Sequence, residues 1–322
     1  MKRKIKVLIA VLVMVSLVLT GCSLPGLREN AKKDVVIAAA NDTERQILAE
    51  MQKQMIEHYT DRNVSIINNL GSTTMIHATM LDGDVNMAAG MYSGTSLTGE
   101  LRMKPIRDSE KALKAVQKGY KEKFNRVWFP SYGFANTYAF MVRKDFAEEH
   151  NIKKVSDLID LRDSVRVGVD TAWMDRKGDG YEAFQKIYGY KFKKIYPMEL
   201  GLLYSAVKNK EMDVILGYST DGRIPSYNLV VLEDDMHLFP AYDCSPVATK
   251  EILEKYPELT DVIFKLCGEI DTTDMQKMNR EAAEDLMEPQ VVAKKFLEKH
   301  NYFEDKNPKK NFDINKIGKE GK

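Results

Sequence analysis

Four of the fifteen tyrosines stand where an aromatic ring could take part in binding. Tyr92 and Tyr218 each follow a short apolar run, Tyr138 follows an Asn-Thr pair, and Tyr242 follows Phe-Pro-Ala. In open α/β sheets, ligands bind beyond the carboxyl ends of the strands, so rings from four such segments can converge on one cleft. The face of each ring attracts a cation by about 0.5–2 kcal/mol. Converging tyrosines therefore suit a cation that cannot donate hydrogen bonds, such as a quaternary ammonium. For any one of these tyrosines, ordinary packing with a satisfied hydroxyl is the alternative.

Catalytic signatures are missing from the sequence. It contains no GxSxG, phosphate-binding loop, GxGxxG or HExxH pattern. The Gly-Asp-Gly around Asp179 is typical of a turn, and five scattered histidines predict no metal site. We therefore expect neither a catalytic residue nor a metal or other cofactor. A hydrolase that uses only Asp and Glu stays open as an alternative.

Composition limits the possible partners. The chain carries 48 Lys and Arg against 47 Asp and Glu, and a nucleic-acid-binding protein usually has a basic excess on one face. We therefore expect no nucleic-acid partner. A length of 322 residues, 44% of them hydrophobic, predicts two lobes or one large domain. Three cysteines are too few for a disulfide scaffold, and the sequence leaves open whether Cys244 and Cys267 pair.

Residues 1–21 have the pattern of a secretion signal. Basic residues among the first six precede an apolar run over residues 7–19, which is short for a membrane span. The run ends in Leu-Thr-Gly before Cys22, which resembles the lipobox of bacterial lipoproteins. The resemblance implies cleavage before Cys22 and a lipid on its sulfur, so that the protein is anchored to a membrane without crossing it. Residues 22–33 are predicted to form the tether.

The apolar runs predict the elements that must position the tyrosines. Residues 34–40 predict a buried parallel strand, and the helix after it could open with a capping box formed by Thr43 and Gln46. Further strands are predicted at 63–67, 85–89, 138–142, 165–169 and 212–216. Further helices are predicted at 74–81, 108–124, 201–208, 251–256, 258–270, 275–286 and 289–300. Strands that alternate with helices indicate an α/β fold with mainly parallel sheets. Residues 304–322 have a composition typical of disorder.

Eight stretches of the sequence closely resemble, in the same order, the substrate-binding lipoproteins of osmoprotectant ABC transporters, the glycine betaine/carnitine/choline group. They are NLGS at 69–72, YSGT at 92–95, WF at 128–129 with SYGF at 131–134, NTYAF at 136–140, GVD at 168–170, RKGDGY at 176–181, YSTDGR at 218–223 and YDCSP at 242–246. Each stretch alone is a weak signal, but the eight together extend the similarity from about residue 22 to residue 303.

The resemblance implies a two-lobed periplasmic-binding-protein fold, similar to type II. Each lobe is expected to contain a mainly parallel sheet flanked by helices, with the ligand in the cleft between the lobes. Residues 34–132 together with 240–303 would form lobe 1, and residues 133–239 would form lobe 2.

The resemblance also implies a binding site in which an aromatic cage surrounds a trimethylammonium head and polar groups hold the rest of the ligand. The matching cage positions are Tyr92, Tyr138, Tyr218 and Tyr242, and the matching polar positions are Thr95 and Asn136. Trp173, Asp170 and Arg223 are expected to have structural or interlobe roles, and Asp221 is the expected partner of Arg223.

Two positions depart from the family pattern. Relatives often carry Gln where this chain has Ala40, and Arg where it has Met91. Loss of the Gln removes one donor to a ligand carboxylate. Thr95 is uncharged, whereas some relatives carry an acidic residue there, which would favour choline. The departures leave glycine betaine, carnitine and choline all open as ligands.

The resemblance implies a binding protein with no catalytic step. It would capture a quaternary-ammonium compatible solute and deliver it to the permease of an ABC importer, with the lobes closing around the ligand. The protein is expected to be monomeric and to lie, lipid-anchored, on the extracytoplasmic face of the cell membrane. An amino acid or a polyamine bound in the same fold is one alternative, in which carboxylates would dominate the ligand contacts. A lipoprotein hydrolase is the other.

Overall fold

A computed structural model describes residues 34–304 of the chain. The predicted signal peptide at 1–21, the tether at 22–33 with Cys22, and the predicted tail beyond Glu304 lie outside the described residues. Within residues 34–304, the chain forms two five-stranded sheets with helices packed against them. No helix in this part of the chain combines the length and apolarity needed to cross a membrane.

The elements alternate along most of the chain. The strands are β1 (Val35–Ala40), β2 (Val64–Leu70), β3 (Met87–Tyr92), β4 (Arg126–Trp128), β5 (Tyr138–Arg143), β6 (Arg166–Asp170), β7 (Lys194–Met198), β8 (Val214–Tyr218), β9 (Leu229–Val231) and β10 (Cys244–Thr249). The α-helices are α1 (Thr43–Tyr59), α2 (Thr73–Asp82), α3 (Ser93–Thr98), α4 (Ser109–Phe124), α5 (Lys144–His150), α6 (Thr171–Met174), α7 (Tyr181–Tyr188), α8 (Leu200–Lys208), α9 (Arg223–Ser226), α10 (Lys250–Lys255), α11 (Glu258–Phe264), α12 (Thr272–Ala283) and α13 (Pro289–Lys299). A 3-10 helix occupies Val155–Leu161.

The first sheet has the strand order β2-β1-β3-β10-β4. β1 pairs in parallel with β2 and β3, while β10 runs antiparallel to β3 and β4. All six residues of β1 are buried, which is typical of a central strand covered on both faces. One core cluster includes Ile37 and Ile47 on the side of α1, and another includes Ala38 and Trp128 on the opposite side.

The second sheet repeats this plan with the order β7-β6-β8-β5-β9. β6 pairs in parallel with β7 and β8, and β5 runs antiparallel to β8 and β9. Its larger core cluster is aromatic, because Phe140, Trp173 and Phe184 pack together in it. Each sheet therefore combines a parallel part with an antiparallel part.

The α/β fold expected from the sequence is confirmed, but the sheets are mixed and not mainly parallel. The difference comes from β10, which runs antiparallel to β3, and from β5, which runs antiparallel to β8. The apolar pattern also did not predict β4, β9 or β10. β4 and β9 are only three residues long, too short for a burial period to show. β10 contains Pro246, which argues against a strand, and a register shift between Ser245 and Val247 accommodates it. The helix predicted over 258–270 also ends early, at Phe264.

The first helix is capped differently from the prediction. Asp42, and not Thr43, is the N-cap, since its Oδ1 accepts a hydrogen bond from the backbone N–H of Arg45 at 2.9 Å. The Thr43 hydroxyl instead donates to Oδ1 of Asn279 on α12, at 3.1 Å. The Thr43 hydroxyl, which the local pattern assigned to the helix cap, therefore makes a long-range contact instead. Cys244 and Cys267, whose pairing the sequence left open, are both free thiols.

Gly217 in β8 offers a test of this packing. A Cβ at this position would overlap the hydroxyl of Tyr204, which is fully buried and accepts the backbone N–H of Tyr218 at 3.0 Å. We expect Gly217→Ala to lower the free energy of unfolding by about 1–3 kcal/mol, the usual cost of overpacking a core. Gly71→Ala is the matched control, because no atom of the described part of the chain lies within 4 Å of a Cβ there. Denaturant titration measures both, and equal midpoints for the two variants would contradict the packing described.

Candidate ligand-binding cleft

A cleft of about 820 Å³ lies where the carboxyl ends of β1, β2 and β3 approach the end of β8. Its walls include residues 41–45 after β1, residues 71–73 after β2 and residues 220–223 after β8. The structure brings together all six positions predicted from the sequence, and each of them lines the cleft: Tyr92, Thr95, Asn136, Tyr138, Tyr218 and Tyr242. The four tyrosines come from both sheets, so the cleft is shared between them.

The pairing of the strands brings the tyrosines to the cleft. Tyr92 ends β3, where it is paired with Cys244, the first residue of β10. Tyr218 ends β8 and lies opposite Tyr138, the first residue of β5. Tyr138 therefore begins a strand and reaches the cleft because β5 is antiparallel to its neighbour. The antiparallel part of each sheet thus adds residues to the edge at which the parallel strands end.

The rings of Tyr138 and Tyr218 form a stacked pair. Their centroids are 5.0 Å apart and their planes meet at 27°. Phe239, which the sequence analysis did not single out, packs against Tyr138 with a centroid distance of 6.0 Å. This support from behind keeps the ring in place because an aromatic neighbour restricts its rotation.

Hydroxyl groups of three cleft tyrosines are engaged by protein partners. The Tyr92 hydroxyl donates to Oε1 of Glu44 at 2.6 Å, and the Tyr138 hydroxyl donates to Oδ2 of Asp170, also at 2.6 Å. Nη2 of Arg176 donates to the Tyr242 hydroxyl at 2.8 Å. Burial raises the pKa of all three phenols, so they are neutral at physiological pH. Their ring faces, and not phenolate charge, are what they offer to a ligand.

Arg176 was missed by the sequence analysis. Its guanidinium makes two hydrogen bonds to the carboxylate of Asp179, at 3.0 and 2.8 Å, and lies 5.4 Å from the ring centroid of Tyr138. Asp179, which the sequence placed in a simple turn, is buried. The RKGDGY stretch at 176–181 therefore holds an arginine among the cleft tyrosines. The only local signal was an arginine three residues before an aspartate.

Glu44 was also missed. It is 3% exposed, lines the cleft, and accepts hydrogen bonds from Tyr92 and from Nδ2 of Asn136 and Asn279, the last two at 3.2 Å. Burial raises the pKa of Glu44, and hydrogen bonds from Thr220 and Tyr92 oppose that shift. Its position directly after the first strand was a possible signal, but the capping pattern at 43–46 gave another explanation for it.

Arg223, Trp173 and Asp170, for which structural or interlobe roles were expected, all make contacts within the protein. Arg223 forms two hydrogen bonds with the carboxylate of Asp221, at 2.9 and 2.8 Å, which confirms the predicted partner. Trp173 is fully buried and donates from Nε1 to the carbonyl of Asp179 at 2.7 Å. Asp170 accepts from Tyr138, so it orients a ring of the cleft.

Ala40 and Met91, the two departures from the family pattern, are both fully buried in the core of the first sheet. Neither lines the cleft. The cleft instead contains three arginines, and each forms an ion pair with an aspartate: Arg45 with Asp42, Arg176 with Asp179, and Arg223 with Asp221. Within residues 34–304, no group of His, Cys, Asp and Glu side chains could hold a metal ion.

Comparison with known proteins identifies relatives of this chain. A carnitine transport binding protein, OpuCC, from Listeria monocytogenes is 54% identical over 308 residues, which cover 95% of this chain and 100% of that protein. A glycine-betaine-binding protein from Pseudomonas aeruginosa is 30% identical over 274 residues, 82% of this chain and 86% of that protein. A crystal structure described as a glycine betaine/carnitine/choline ABC transporter superposes with a TM-score of 0.82 at 48% identity, covering 84% of this chain and 99% of that one.

These similarities confirm the resemblance found in the sequence and, with it, the two-lobed binding-protein fold. The profile of the family described as the substrate binding domain of ABC-type glycine betaine transport system matches residues 33–299. That range contains both sheets and every residue of the cleft. The chain therefore belongs to the family of substrate-binding domains of ABC-type glycine betaine transport systems.

Proposed function

We propose that this protein captures a quaternary-ammonium compatible solute outside the cytoplasm and delivers it to the permease of an ABC importer, without a catalytic step. The observation that carries the proposal is the convergence of Tyr92, Tyr138, Tyr218 and Tyr242 on one cleft. Carnitine, glycine betaine and choline are the expected ligands. The relative from Listeria monocytogenes, at 54% identity, is named as a carnitine binding protein, which supports carnitine among them.

The chemistry of the cleft suits a methylated cation. Each ring face can contribute about 0.5–2 kcal/mol to binding of a desolvated ammonium. The ring faces accept no conventional hydrogen bond, and the hydroxyls of Tyr92 and Tyr138 already donate to carboxylates. The ring faces therefore cannot replace the bonds to water that a primary ammonium loses on entering the cage, whereas a trimethylammonium has none to lose. This difference selects for full methylation.

Thr95, Asn136 and Arg176 are proposed to contact the remainder of the ligand. Thr95 lines the cleft from the first turn of α3, three residues after Tyr92. Oδ1 of Asn136 is buried with no hydrogen-bond partner among the described residues, so it is available to a ligand hydroxyl. Arg176 carries a guanidinium that suits a ligand carboxylate. These groups would distinguish carnitine and glycine betaine from choline.

The alternatives weighed from the sequence find less support in the cleft. An amino acid or a polyamine needs carboxylates that are free to accept from N–H groups, but Asp42 and Asp221 are occupied by arginines. The oxygens of Glu44 already accept hydrogen bonds from one tyrosine and two asparagines. A hydrolase needs a nucleophile or an acid pair with shifted pKa values. Glu44 has a raised pKa, but among residues 34–304 its hydrogen bonds come from tyrosine, asparagine and threonine side chains and not from a second carboxyl group.

The two lobes are proposed to be residues 34–132 with 240–303, and residues 133–239. The division is supported by the sheets, since β1–β4 and β10 form one and β5–β9 form the other. The connecting segments pair with each other through an antiparallel bridge between Ala135 and Asp243. A hinge at this bridge would let the lobes close around a ligand.

The protein is further proposed to act as a monomer anchored to the extracytoplasmic face of the cell membrane by a lipid on Cys22. The support is the lipobox-like Leu-Thr-Gly-Cys that ends the apolar run of residues 7–19. A permease partner follows from membership of a transport-system family.

Ligand class is tested by a thermal-shift panel on the domain that begins after Cys22. Carnitine, glycine betaine and choline are expected to raise Tm by several degrees, because a ligand at one hundred times its Kd adds about 2.7 kcal/mol to stability. Their demethylated analogues, free amino acids and spermidine are the controls and are expected to leave Tm unchanged. A shift with spermidine or an amino acid but with no trimethylated compound would contradict the proposal.

The aromatic cage is tested at Tyr218. Tyr218→Ala removes a ring face and is expected to raise the Kd for the bound solute by at least about tenfold, equivalent to about 1.4 kcal/mol. Tyr218→Phe keeps the face and is expected to stay within about threefold of the parent. Tyr196→Ala removes a tyrosine that is 42% exposed and outside the cleft, and serves as the control. Calorimetric titration gives the Kd values, and equal Kd values for Tyr218→Ala and the parent would refute the site.

Lipid anchoring is tested by Cys22→Ala in the full chain, expressed in a bacterial host. Loss of the thiol removes the site of lipid attachment, so the protein is expected to lose its lipid and its anchoring through that lipid. Cys267→Ser, which changes a free thiol of the folded domain, is expected to keep the lipid. Mass spectrometry of the N-terminal peptide is the readout. A parent protein without lipid on Cys22 would disprove the anchor.

A further inference from the structure

Glu44 is a buried carboxylate at the cleft that has no cationic partner. It is 3% exposed, and among residues 34–304 no lysine, arginine or histidine forms an ion pair with it. The three arginines of the cleft are all paired with aspartates. An unpaired buried carboxylate is costly unless hydrogen bonds or a counter-charge stabilise it, so the absence of a protein cation calls for an explanation.

The hydrogen bonds of Glu44 lead to the binding site. Oε1 accepts from the hydroxyl of Tyr92 at 2.6 Å and from Nδ2 of Asn136 at 3.2 Å, and Oε2 accepts from Nδ2 of Asn279. Thr220 is a further donor. Two of these donors, Tyr92 and Asn136, belong to the six residues predicted to bind the ligand. Because Glu44 also lines the cleft itself, its charge acts on a ligand both directly and through the ring of Tyr92.

We propose that Glu44 determines specificity for cations, since its carboxylate is the counter-charge for the ammonium of the ligand. The inference rests on the proposed function and adds to it a residue outside the aromatic cage. A phenol that donates to a carboxylate gains electron density in its ring, so Tyr92 presents a more negative face to a cation. A neutral molecule of the same shape would gain nothing from Glu44.

The other charged and titratable groups around Glu44 do not replace it. Asp42 lies on the same side but is bonded to Arg45 at 2.6 Å, so the two charges largely cancel. Arg45 lies 5.4 Å from the centroid of Tyr92. The Cys244 thiol is buried with a raised pKa and stays uncharged. Tyr92 likewise stays protonated, because burial and the charge of Glu44 raise its pKa.

The net charge of the ligand decides how much Glu44 matters. Choline carries only the positive ammonium, which Glu44 attracts. Carnitine and glycine betaine also carry a carboxylate, which Glu44 repels. Loss of the charge at Glu44 should therefore weaken choline most, weaken the zwitterions less, and leave an uncharged isostere unaffected. A purely structural role would weaken all of them by the same factor.

The direction in which choline affinity changes with pH follows from the protonation of Glu44. Burial raises the pKa of Glu44 in the ligand-free protein, so the carboxyl begins to take up protons at a higher pH than an exposed glutamate. The protonated form has lost the counter-charge, and a bound cation favours the ionised form. Choline affinity is therefore expected to fall as the pH is lowered from 8 towards about 5, because glutamate side chains begin to be protonated as the pH approaches their pKa range from above. Binding of choline is then expected to release protons.

The experiment compares the parent with Glu44→Gln, which keeps one carbonyl acceptor for Tyr92 and Asn136. Calorimetric titration with choline, carnitine and 3,3-dimethylbutan-1-ol, the uncharged isostere of choline, is done at pH 7.5 and low salt. We expect the variant to raise the Kd for choline by about tenfold or more and that for carnitine by about threefold or less. The alcohol should bind both proteins equally weakly. The pH dependence of choline binding should disappear in the variant.

The control is Glu284→Gln. Glu284 also lines the cleft, but it is exposed and hydrogen-bonded to the Ser226 hydroxyl, so solvent screens its charge and its removal should change no Kd by more than about twofold. If Glu44→Gln fails to fold, the choline affinity of the parent protein measured from pH 5 to 8 tests the role of Glu44. A constant affinity over this range overturns that role. Equal losses for choline and carnitine, or none, overturn it as well. A parent that binds no trimethylated compound overturns the proposed function together with this inference.

Discussion

Two chain segments cross between the sheets, and their pairing holds the two halves of the cleft together. Ala135 bridges Asp243, and the backbone N–H of Asn136 donates to the carbonyl of Tyr242 at 3.1 Å. Tyr138 begins β5 just after this pair, and β10 begins just after Tyr242. The pairing therefore determines the positions of the rings of Tyr138 and Tyr242 together. The antiparallel strands β5 and β10 that follow connect these two residues to the two sheets.

Electrostatic pairing gives the cleft its character. Every arginine that lines it is bonded to an aspartate, so the cations of the protein are neutralised locally. What the cleft offers the ammonium of a ligand is a set of neutral ring faces and the buried carboxylate of Glu44. Such a surface suits a large cation with no hydrogen to donate. The same surface offers a primary ammonium little compensation for its lost hydration.

Much of the fold could be predicted from the sequence, because long buried strands and amphipathic helices repeat with their own periods. The run that became β1 and the helix at 109–124 are examples. β4 and β9 were missed since three residues are too few to show a period, and β10 was missed because of Pro246. The antiparallel directions of β5 and β10, which no burial period records, turned two expected parallel sheets into mixed ones. That change matters, as it brings Tyr138 beside Tyr218.

The sequence by itself determined the α/β class, the family resemblance and six of the residues that line the cleft, because each of these depends on local pattern or on motif order. Only the tertiary structure assigned Glu44 and Arg176 to the site. The partners of Glu44 include Tyr92 and Asn279, the second of which is 235 positions away in the chain. No local pattern records such a contact, since it exists only after both sheets and α12 have packed against one another.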